Sequence, residues 1–277
     1  MNSNLLSILC VVKKVTKCTD ELCADDIYKD IRYKDYRPVV FSEIDSTNLE
    51  LKRQVAGGEV KERLVVADRQ TMGRGRLGRS FESPAQSGIY MSLLLPVEDS
   101  DSLLLITSAA AVAVCRAVKS VCNIDSLIKW VNDIFVNGKK VCGILAEAVS
   151  GCDGKLNVVL GIGINVATDK SRFTDNVRNV AGALYDKLPD NVTRNSLAAS
   201  VVNEFMDIFV HITDRQYLND YRQFSMVIGK NIRYRAGDEW HTGKAVDIDD
   251  NGGLVVVTSD ETVTLNTGEI SVRLESD

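Results

Sequence analysis

The chain contains few of the residues that build metal centres and disulfide-linked folds. Its two histidines, His211 and His241, are too few for a histidine-rich metal centre or a Ser-His-Asp catalytic arrangement. Its cysteines number seven, which is odd, and no two of them have the C-x-x-C spacing of a zinc site. We interpret them as reduced thiols that mostly fill the core: Cys10, Cys18, Cys23, Cys115, Cys122, Cys142 and Cys152.

Basic charge and long apolar segments are also scarce. The 33 Lys and Arg residues are outnumbered by 38 Asp and Glu, giving a net charge of −5. Nucleic acid is therefore not the expected partner, because phosphate-backbone binding needs a basic face. We expect no apolar run long enough to cross a bilayer, and no signal peptide, since the short apolar stretch 5–12 lacks a basic start and a cleavage site. A cytoplasmic protein without membrane association is predicted.

The 277 residues, 45% hydrophobic and 26% charged, suit one large domain and one small one. Hydrophobic patterns predict strands at 39–41, 64–67, 88–95, 128–131, 133–136, 139–147 and 156–166, and helices at 101–122, 194–212 and 217–224. The turn signal Asn137-Gly138 indicates antiparallel pairing. After residue 226 only short strands follow, which is typical of a small SH3-like barrel. The predicted class is α+β, a mixed and mostly antiparallel sheet with helices, divided into an N-terminal segment 1–37, a main domain 38–226 and a barrel 227–277.

Residues 73–79 read Gly-Arg-Gly-Arg-Leu-Gly-Arg. Glycine lets the backbone bend tightly and arginine binds carboxylate or phosphate well, so the segment predicts a basic loop in which Arg74, Arg76 and Arg79 close over an anion. The string also fits the G-x-G-x-x-G pattern of dinucleotide-binding proteins. A strand follows it, however, and no helix N-terminus is available to hold a pyrophosphate. A solvated surface loop is the remaining alternative.

Four further segments place polar groups at turns or beside glycines. Ser46-Thr47-Asn48 begins a helix, where Ser46 or Thr47 can also be an ordinary N-cap, and Gln70 precedes the basic loop. Polar groups stand among strand residues in the run 129–133, Lys-Trp-Val-Asn-Asp, and at Lys140. Burying them costs free energy unless a ligand or cation binds them. Trp130 can also be an ordinary core residue. Glycines within the strand segment 161–165 suggest that another molecule approaches the backbone.

Together and in this order, these segments resemble the biotin protein ligase family. The matching motifs are D-S-T-N at 45–48, Q-x-x-G-R-G-R-x-G-R at 70–79, K-W-x-N-D at 129–133, G-K-K-x-x-G-I-L at 138–145 and G-I-G-I-N at 161–165. The resemblance runs from about residue 38 to the C-terminus and implies a sheet similar to those of class II aminoacyl-tRNA synthetases and lipoate ligases. The family commonly has proline where Val131 stands and tryptophan near Phe81. The winged helix-turn-helix domain of bifunctional relatives is not expected here, so the resemblance implies the monofunctional type.

The resemblance implies a two-step reaction with biotin, ATP and Mg²⁺. Biotin and ATP form biotinyl-5′-AMP, and a lysine of the biotin carboxyl carrier domain of a carboxylase then takes the biotin. The implied catalytic residues are Lys140, Arg76 and Arg74. The implied biotin-binding residues are Ser46, Thr47, Asn48, Gln70, Gly73, Arg74, Arg76, Lys140, Gly143 and Gly161. The implied ATP and adenylate residues are Arg76, Arg79, Lys129, Trp130, Asn132, Asp133, Gly163 and Asn165, and Asp133 would help place Mg²⁺.

Two alternatives stay open at this point. A lipoate-protein ligase is similar in fold and chemistry, although that family's run of arginines, consecutive glycines and a histidine is not found. A non-catalytic biotin or adenylate sensor that binds DNA would need a recognition helix and a basic face. Relatives can pair through the central sheet, so a homodimer is also considered.

Overall fold

The structure is a computed structural model that describes residues 20–274 apart from 59, 61–62, 99–102, 169, 237–238 and 267–270. The described helices are α1 (Ala24–Asp30), α2 (Thr47–Gly57), α3 (Leu103–Ala117), α4 (Asp175–Arg178), α5 (Arg194–Phe209) and α6 (Tyr217–Phe224). The strands of the main sheet are β1 (Pro38–Phe41), β2 (Leu64–Ala67), β3 (Gly88–Pro96), β4 (Leu127–Lys129), β5 (Asp133–Val136), β6 (Lys139–Ser150) and β7 (Leu156–Asn165). A second sheet contains β8 (Asn231–Ala236), β9 (Glu239–Ile248), β10 (Leu254–Val257), β11 (Thr262–Leu265) and β12 (Ser271–Leu274).

The main sheet has the strand order β1-β2-β3-β7-β6-β5-β4. Only β1 and β2 run parallel, and the other neighbours are antiparallel, which confirms the predicted mixed, mostly antiparallel sheet. Asn137 and Gly138 both have positive φ, 49° and 72°, as a tight hairpin between β5 and β6 requires. The expected strand 128–131 ends early, at Lys129, because Trp130, Val131 and Asn132 form the turn into β5.

The two faces of the sheet are covered by different helices. Along β2 the side chain of Val65 packs with Leu51 and Val55 of α2, while Leu64 and Val66 belong to the larger core that contains α3 and α5. This alternation follows from the two-residue period of a strand. Residues 88–95 of β3 are all buried, so the strand lies between the two layers.

Helix α3 corrects the expectation that no apolar run could cross a bilayer. Together with the π-helical turn Val118–Cys122 it spans 20 residues, Leu103–Cys122, long and apolar enough to do so by length and composition alone. The protein itself buries 72% of the apolar window of this helix, and no other described helix passes the same test. Burial inside the protein is what a core helix of this composition needs.

The helix starts differ in how they are capped. Thr193 caps α5, since its side chain accepts a hydrogen bond from the Ser196 N–H. At α2, Ser46 occupies the N-cap position but its side chain makes no capping hydrogen bond. Ser46 is therefore the N-cap residue by position but not by a side-chain hydrogen bond, and the Thr47 hydroxyl donates instead to Gln70 Oε1 at 3.1 Å.

The C-terminal strands pair antiparallel in the order β11-β10-β9-β8-β12, confirming a small all-β unit. Its buried residues, such as Ile248 and Leu254, share one hydrophobic core with the main domain. Ile27 and Ile31 at α1 join the same core, so the described part of the N-terminal segment packs on the main domain too. The boundaries at 37 and 226 stay predictions.

Candidate active site

A cleft of about 240 Å³ opens between α2, the basic loop, strands β6 and β7 and the turn 130–132. Most residues proposed from the sequence line it: Ser46, Thr47, Asn48, Gln70, Arg74, Arg76, Arg79, Lys129, Trp130, Asn132, Asp133, Lys140, Gly143, Gly161 and Gly163. The fold therefore brings together groups from five separate segments of the sequence.

One side of the cleft is a neutral wall of Ser46, Thr47, Asn48 and Gln70. The Thr47 N–H donates to Gln70 Oε1 at 2.9 Å, and Gln70 Nε2 donates to Ser83 Oγ at 2.9 Å. Ser83 Oγ donates in turn to the Phe81 carbonyl at 3.1 Å. This chain of hydrogen bonds fixes the Gln70 amide before any ligand arrives, because each amide atom already has a complementary partner.

The floor of the cleft is a glycine strip formed by Gly161 and Gly163 of β7 and Gly143 of β6, the last two being register partners. A Cβ at Gly161 would collide with Asn48 Oδ1, and one at Gly163 would lie 2.6 Å from Phe81 Cε1. The glycines were expected to admit another molecule. In the structure their space is taken by the protein's own Asn48 and Phe81 side chains.

The basic loop, residues 73–79, is closed at its base by two backbone hydrogen bonds. One runs from Gly75 N to Arg79 O at 2.7 Å, and the other from Phe81 N, just after the loop, to Gly73 O at 2.9 Å. Leu77 and Gly78 have positive φ, 56° and 70°, which turns the chain at the tip. The loop connects β2 and β3, as the sequence suggested. Its arginines differ in exposure, since Arg76 is half-buried whereas Arg74 and Arg79 are exposed.

Opposite the neutral wall lies a charged wall of Arg76, Asn132, Asp133 and Lys140. Arg76 Nη1 donates to Asn132 Oδ1 at 3.1 Å, and Asn132 Nδ2 donates to the Ile144 carbonyl at 2.9 Å. Burial lowers the pKa of Arg76, against the opposing effect of Asp133, yet a guanidinium stays charged at neutral pH. A desolvated cation therefore faces the cleft.

Lys140 and Asp133 form an ion pair in the charged wall. Their Nζ and Oδ1 atoms lie 2.6 Å apart, and both side chains are half-buried. A half-buried carboxylate that lines the cleft is a candidate metal ligand. No cluster of three His, Cys, Asp or Glu side chains was found in the described part of the chain, so the donor set fits only an Mg²⁺ shared with substrate phosphates and water.

Two predicted residues, Gly73 and Asn165, do not line the cleft. Gly73 is buried, and a Cβ there would collide with the Phe81 carbonyl, so this glycine shapes the base of the loop. Asn165 is 4% exposed, and its Nδ2 donates to the Gly182 carbonyl at 3.0 Å. Asn165 therefore holds the segment after β7 in place, and its expected role beside the nucleotide stays a prediction.

Trp130 connects the cleft to the C-terminal unit. Its Nε1 donates to the Gly252 carbonyl at 3.0 Å in a buried environment, and the Trp130–Val131 peptide bond is cis. Tyr221 of α6 donates to the neighbouring Val131 carbonyl at 3.2 Å. The turn 130–132 is thus held from outside the main sheet. Lys129 lies nearby, with Nζ 5.9 Å from the Phe135 ring centre.

Sequence reasoning missed several cleft residues and their supports. Phe81, noted only as a departure, lies over the glycine strip with its ring edge-on to Tyr90 at a centroid distance of 6.3 Å. Glu147 and Lys52 form an ion pair beside Asn48. An acidic residue two positions after the G-I-L motif was a visible signal, but its partner Lys52 is 95 residues away in the sequence.

Comparison with known proteins agrees with this geometry. Residues 40–165 match the model of the biotin/lipoate A/B protein ligase family, and residues 227–273 match that of the biotin protein ligase C-terminal domain. These two matches define the class of the chain, a ligase of the biotin/lipoate type.

Individual relatives show to which family within this class the chain is similar. The chain is 33% identical over 232 residues to the bifunctional ligase/repressor BirA of Bacillus spizizenii, covering 80% of this chain and 70% of that protein. It is 30% identical over 240 residues to the biotin–(acetyl-CoA-carboxylase) ligase of Mycobacterium tuberculosis, covering 83% and 87%. The solved biotin protein ligase of Aquifex aeolicus, in complex with biotin and ATP, matches with a TM-score of 0.75 at 26% identity, covering 86% and 99%. The chain belongs to the biotin protein ligase family, and it is an enzyme.

Proposed function

We propose that the cleft joins biotin to ATP as biotinyl-5′-AMP and that the enzyme then transfers biotin to a lysine of the biotin carboxyl carrier domain of a carboxylase. The observation that supports this most is that the neutral wall and the charged wall lie in one cleft. A ligand with a neutral polar ring at one end and a carboxylate at the other is complementary to that arrangement.

The neutral wall is the proposed site of the ureido ring of biotin. Ser46, Thr47 and Gln70 offer hydroxyl and amide groups, and Asn48 adds an amide beside Gly161. Such prearranged partners favour a ligand that matches them, because a ligand that leaves them unpaired loses hydrogen-bond energy on binding.

The charged wall is the proposed site of reaction. Attack of the biotin carboxylate on the α-phosphate of ATP brings negative groups together, so the work of the protein is positioning and electrostatic stabilisation. Lys140 and Arg76 would bind the carboxylate and the α-phosphate, and Arg74 would close the basic loop over the adenylate and exclude water. Arg79, Lys129, Trp130, Asn132 and Gly163 would line the nucleotide side.

Mg²⁺ is proposed to bind at Asp133 when ATP is present. The support is the position of the Asp133 carboxylate in the wall of the cleft, 2.6 Å from Lys140, which would share the phosphate charge. When bound, the ion would neutralise part of the phosphate charge.

Three wider statements belong to the same proposal. The five described cysteines are free thiols, which agrees with a reducing, cytoplasmic location. A homodimer stays a prediction, to be measured by light scattering. The absence of nucleic-acid binding, expected from the net charge of −5, also stays a prediction.

The test is transfer of labelled biotin to a purified carrier domain with ATP and Mg²⁺. A carrier whose acceptor lysine is replaced by arginine is the control. Label on the intact carrier alone supports the proposal. Formation of biotinyl-5′-AMP without any transfer would limit the enzyme to the first step, and no reaction with biotin would contradict the proposal.

A further inference from the structure

A largely buried carboxylate connects three parts of the cleft. Glu147 of β6 accepts hydrogen bonds from Lys52 Nζ at 2.6 Å and from Asn48 Nδ2 at 2.9 Å. Arg74 Nη2 lies 3.5 Å from the oxygen that Lys52 contacts. The Glu147 side chain is 18% exposed. Because Asn48 and Lys52 belong to α2 and Arg74 to the basic loop, this one carboxylate ties both elements to the sheet.

Glu147 sets the direction of the Asn48 amide. An ionised carboxylate can only accept hydrogen bonds, so it holds the Nδ2 end of Asn48. The Oδ1 end meets the Ser92 hydroxyl at 2.6 Å, above Gly161. Burial acts to raise the pKa of Glu147, but hydrogen bonds from Lys52 and Asn48 outweigh it, so the pKa is lowered and the group is ionised at neutral pH.

Glu147 also gives the basic loop a side-chain attachment. Arg74 reaches Glu147 on the α2 side of the cleft, and Arg76 reaches Asn132 on the other side at 3.1 Å. Lys52 contacts Glu147 more closely than Arg74 does, 2.6 Å against 3.5 Å, and so provides most of its neutralisation. The longer Arg74 contact leaves this arginine able to turn toward a bound ligand.

We propose that Glu147, paired with Lys52, is a positioning residue for the biotin half of the site: it orients Asn48 and places Arg74 at the entrance. Neither Glu147 nor Lys52 lines the cleft, so both act through residues that do. The inference rests on the proposed function and extends it to two residues that the motifs do not include.

The test is the kinetics of biotin-dependent pyrophosphate exchange with biotin and ATP varied separately. The variants are Glu147→Gln and the double variant Lys52→Met/Glu147→Gln, which removes both charges and leaves no unpaired lysine. The control is Glu50→Gln on the same helix, where Glu50 pairs with Arg53 and Gln54 and does not line the cleft. Thermal unfolding of each protein shows whether it is folded.

Both Glu147 variants should raise the KM for biotin about tenfold, the effect of losing a hydrogen bond to a charged group, while the KM for ATP changes less than about twofold. The control should change neither. An unchanged biotin KM in the folded double variant, or equal rises for biotin and ATP, would show that Glu147 only supports the fold and would overturn the inference. No exchange by the unaltered protein would instead overturn the proposed function, and the inference with it.

Discussion

The two walls of the cleft differ in charge and in how their polar groups are held. On the neutral wall, Gln70 is hydrogen-bonded at both ends of its amide, to Thr47 and to Ser83. On the charged wall, Lys140 and Asp133 form an ion pair 2.6 Å apart, and burial lowers the pKa of Arg76. The Gln70 amide is thus oriented before a ligand binds, whereas the charged wall holds half-buried charges that a bound anion or cation would stabilise.

This difference suggests that one wall selects the ligand and the other promotes the reaction. A finished hydrogen-bonded wall is rigid and selects the shape and polarity of what it binds. A wall with desolvated charges stabilises negative charge that develops during reaction, because electrostatic interactions are stronger where water is excluded. Substitutions on the neutral wall should therefore change binding of biotin, and those on the charged wall should change the rate.

The largest effect is expected for Lys140→Met. Removing the cation from the charged wall should lower kcat/KM for pyrophosphate exchange about 100-fold to 1,000-fold, the loss of about 2.7 to 4 kcal/mol of transition-state stabilisation. The matched control is Lys139→Met, because Lys139 is the adjacent residue, is exposed and donates to the Asn179 carbonyl outside the cleft. Equal losses of kcat/KM in the two variants would show that Lys140 has no special role in the reaction.

A smaller loss is expected for Asp133→Asn, about tenfold to 100-fold in rate, together with a higher Mg²⁺ concentration for half-maximal exchange. Asp125→Asn, which alters an exposed acid paired with Lys119, is the control. Exchange would be measured across a series of Mg²⁺ concentrations. A reduced rate with an unchanged Mg²⁺ dependence would mean that Asp133 acts only by holding Lys140, and the proposed metal role would be wrong.

For the neutral wall, Gln70→Leu should raise the KM for biotin about tenfold and leave the KM for ATP nearly unchanged. The reason is that leucine can make no hydrogen bond to the ureido ring, a loss of about 1 to 3 kcal/mol, and no longer holds the Thr47 N–H in place. Gln54→Leu on α2 is the control, since Gln54 donates to Glu50 outside the cleft. A fall in kcat without a change in the biotin KM would contradict the assignment of biotin binding to the neutral wall.

The smallest effect is expected for Trp130→Phe, which keeps an aromatic ring and removes the Nε1 hydrogen bond to the Gly252 carbonyl. Unfolding in denaturant should show a loss of about 1 kcal/mol, the net value of one hydrogen bond. Trp240→Phe is the control, because Trp240 is 40% exposed on the second sheet. If both variants are equally stable, the link between the turn 130–132 and the C-terminal unit contributes little.

The sequence predicts the fold well where local signals act. The turn at Asn137-Gly138 and the strands at 64–67 and 133–136 each depend on neighbouring residues, and the structure confirms them. The motifs likewise bring most proposed site residues into one cleft. Local chemistry and strand periodicity are enough for these features.

The features that the sequence does not predict depend on contacts between distant segments. Glycines at 143, 161 and 163 indicate a close approach, but only the folded chain shows that Phe81 and Asn48 occupy that space. Asn165 follows a glycine motif and was expected beside the nucleotide, but the sequence does not show that its amide binds the Gly182 carbonyl. The pair Lys52 and Glu147 resembles ordinary surface charge until α2 packs against β6.

The measurement that tests the central claim most directly is exchange of labelled pyrophosphate into ATP with Mg²⁺, with biotin or lipoate as the acid and with Arg76→Gly beside the unaltered protein. This half-reaction needs no carrier domain. We predict exchange with biotin, none with lipoate, and a strong loss in the variant. Exchange with lipoate alone, or tight biotin binding without exchange, would contradict a cleft built to activate biotin.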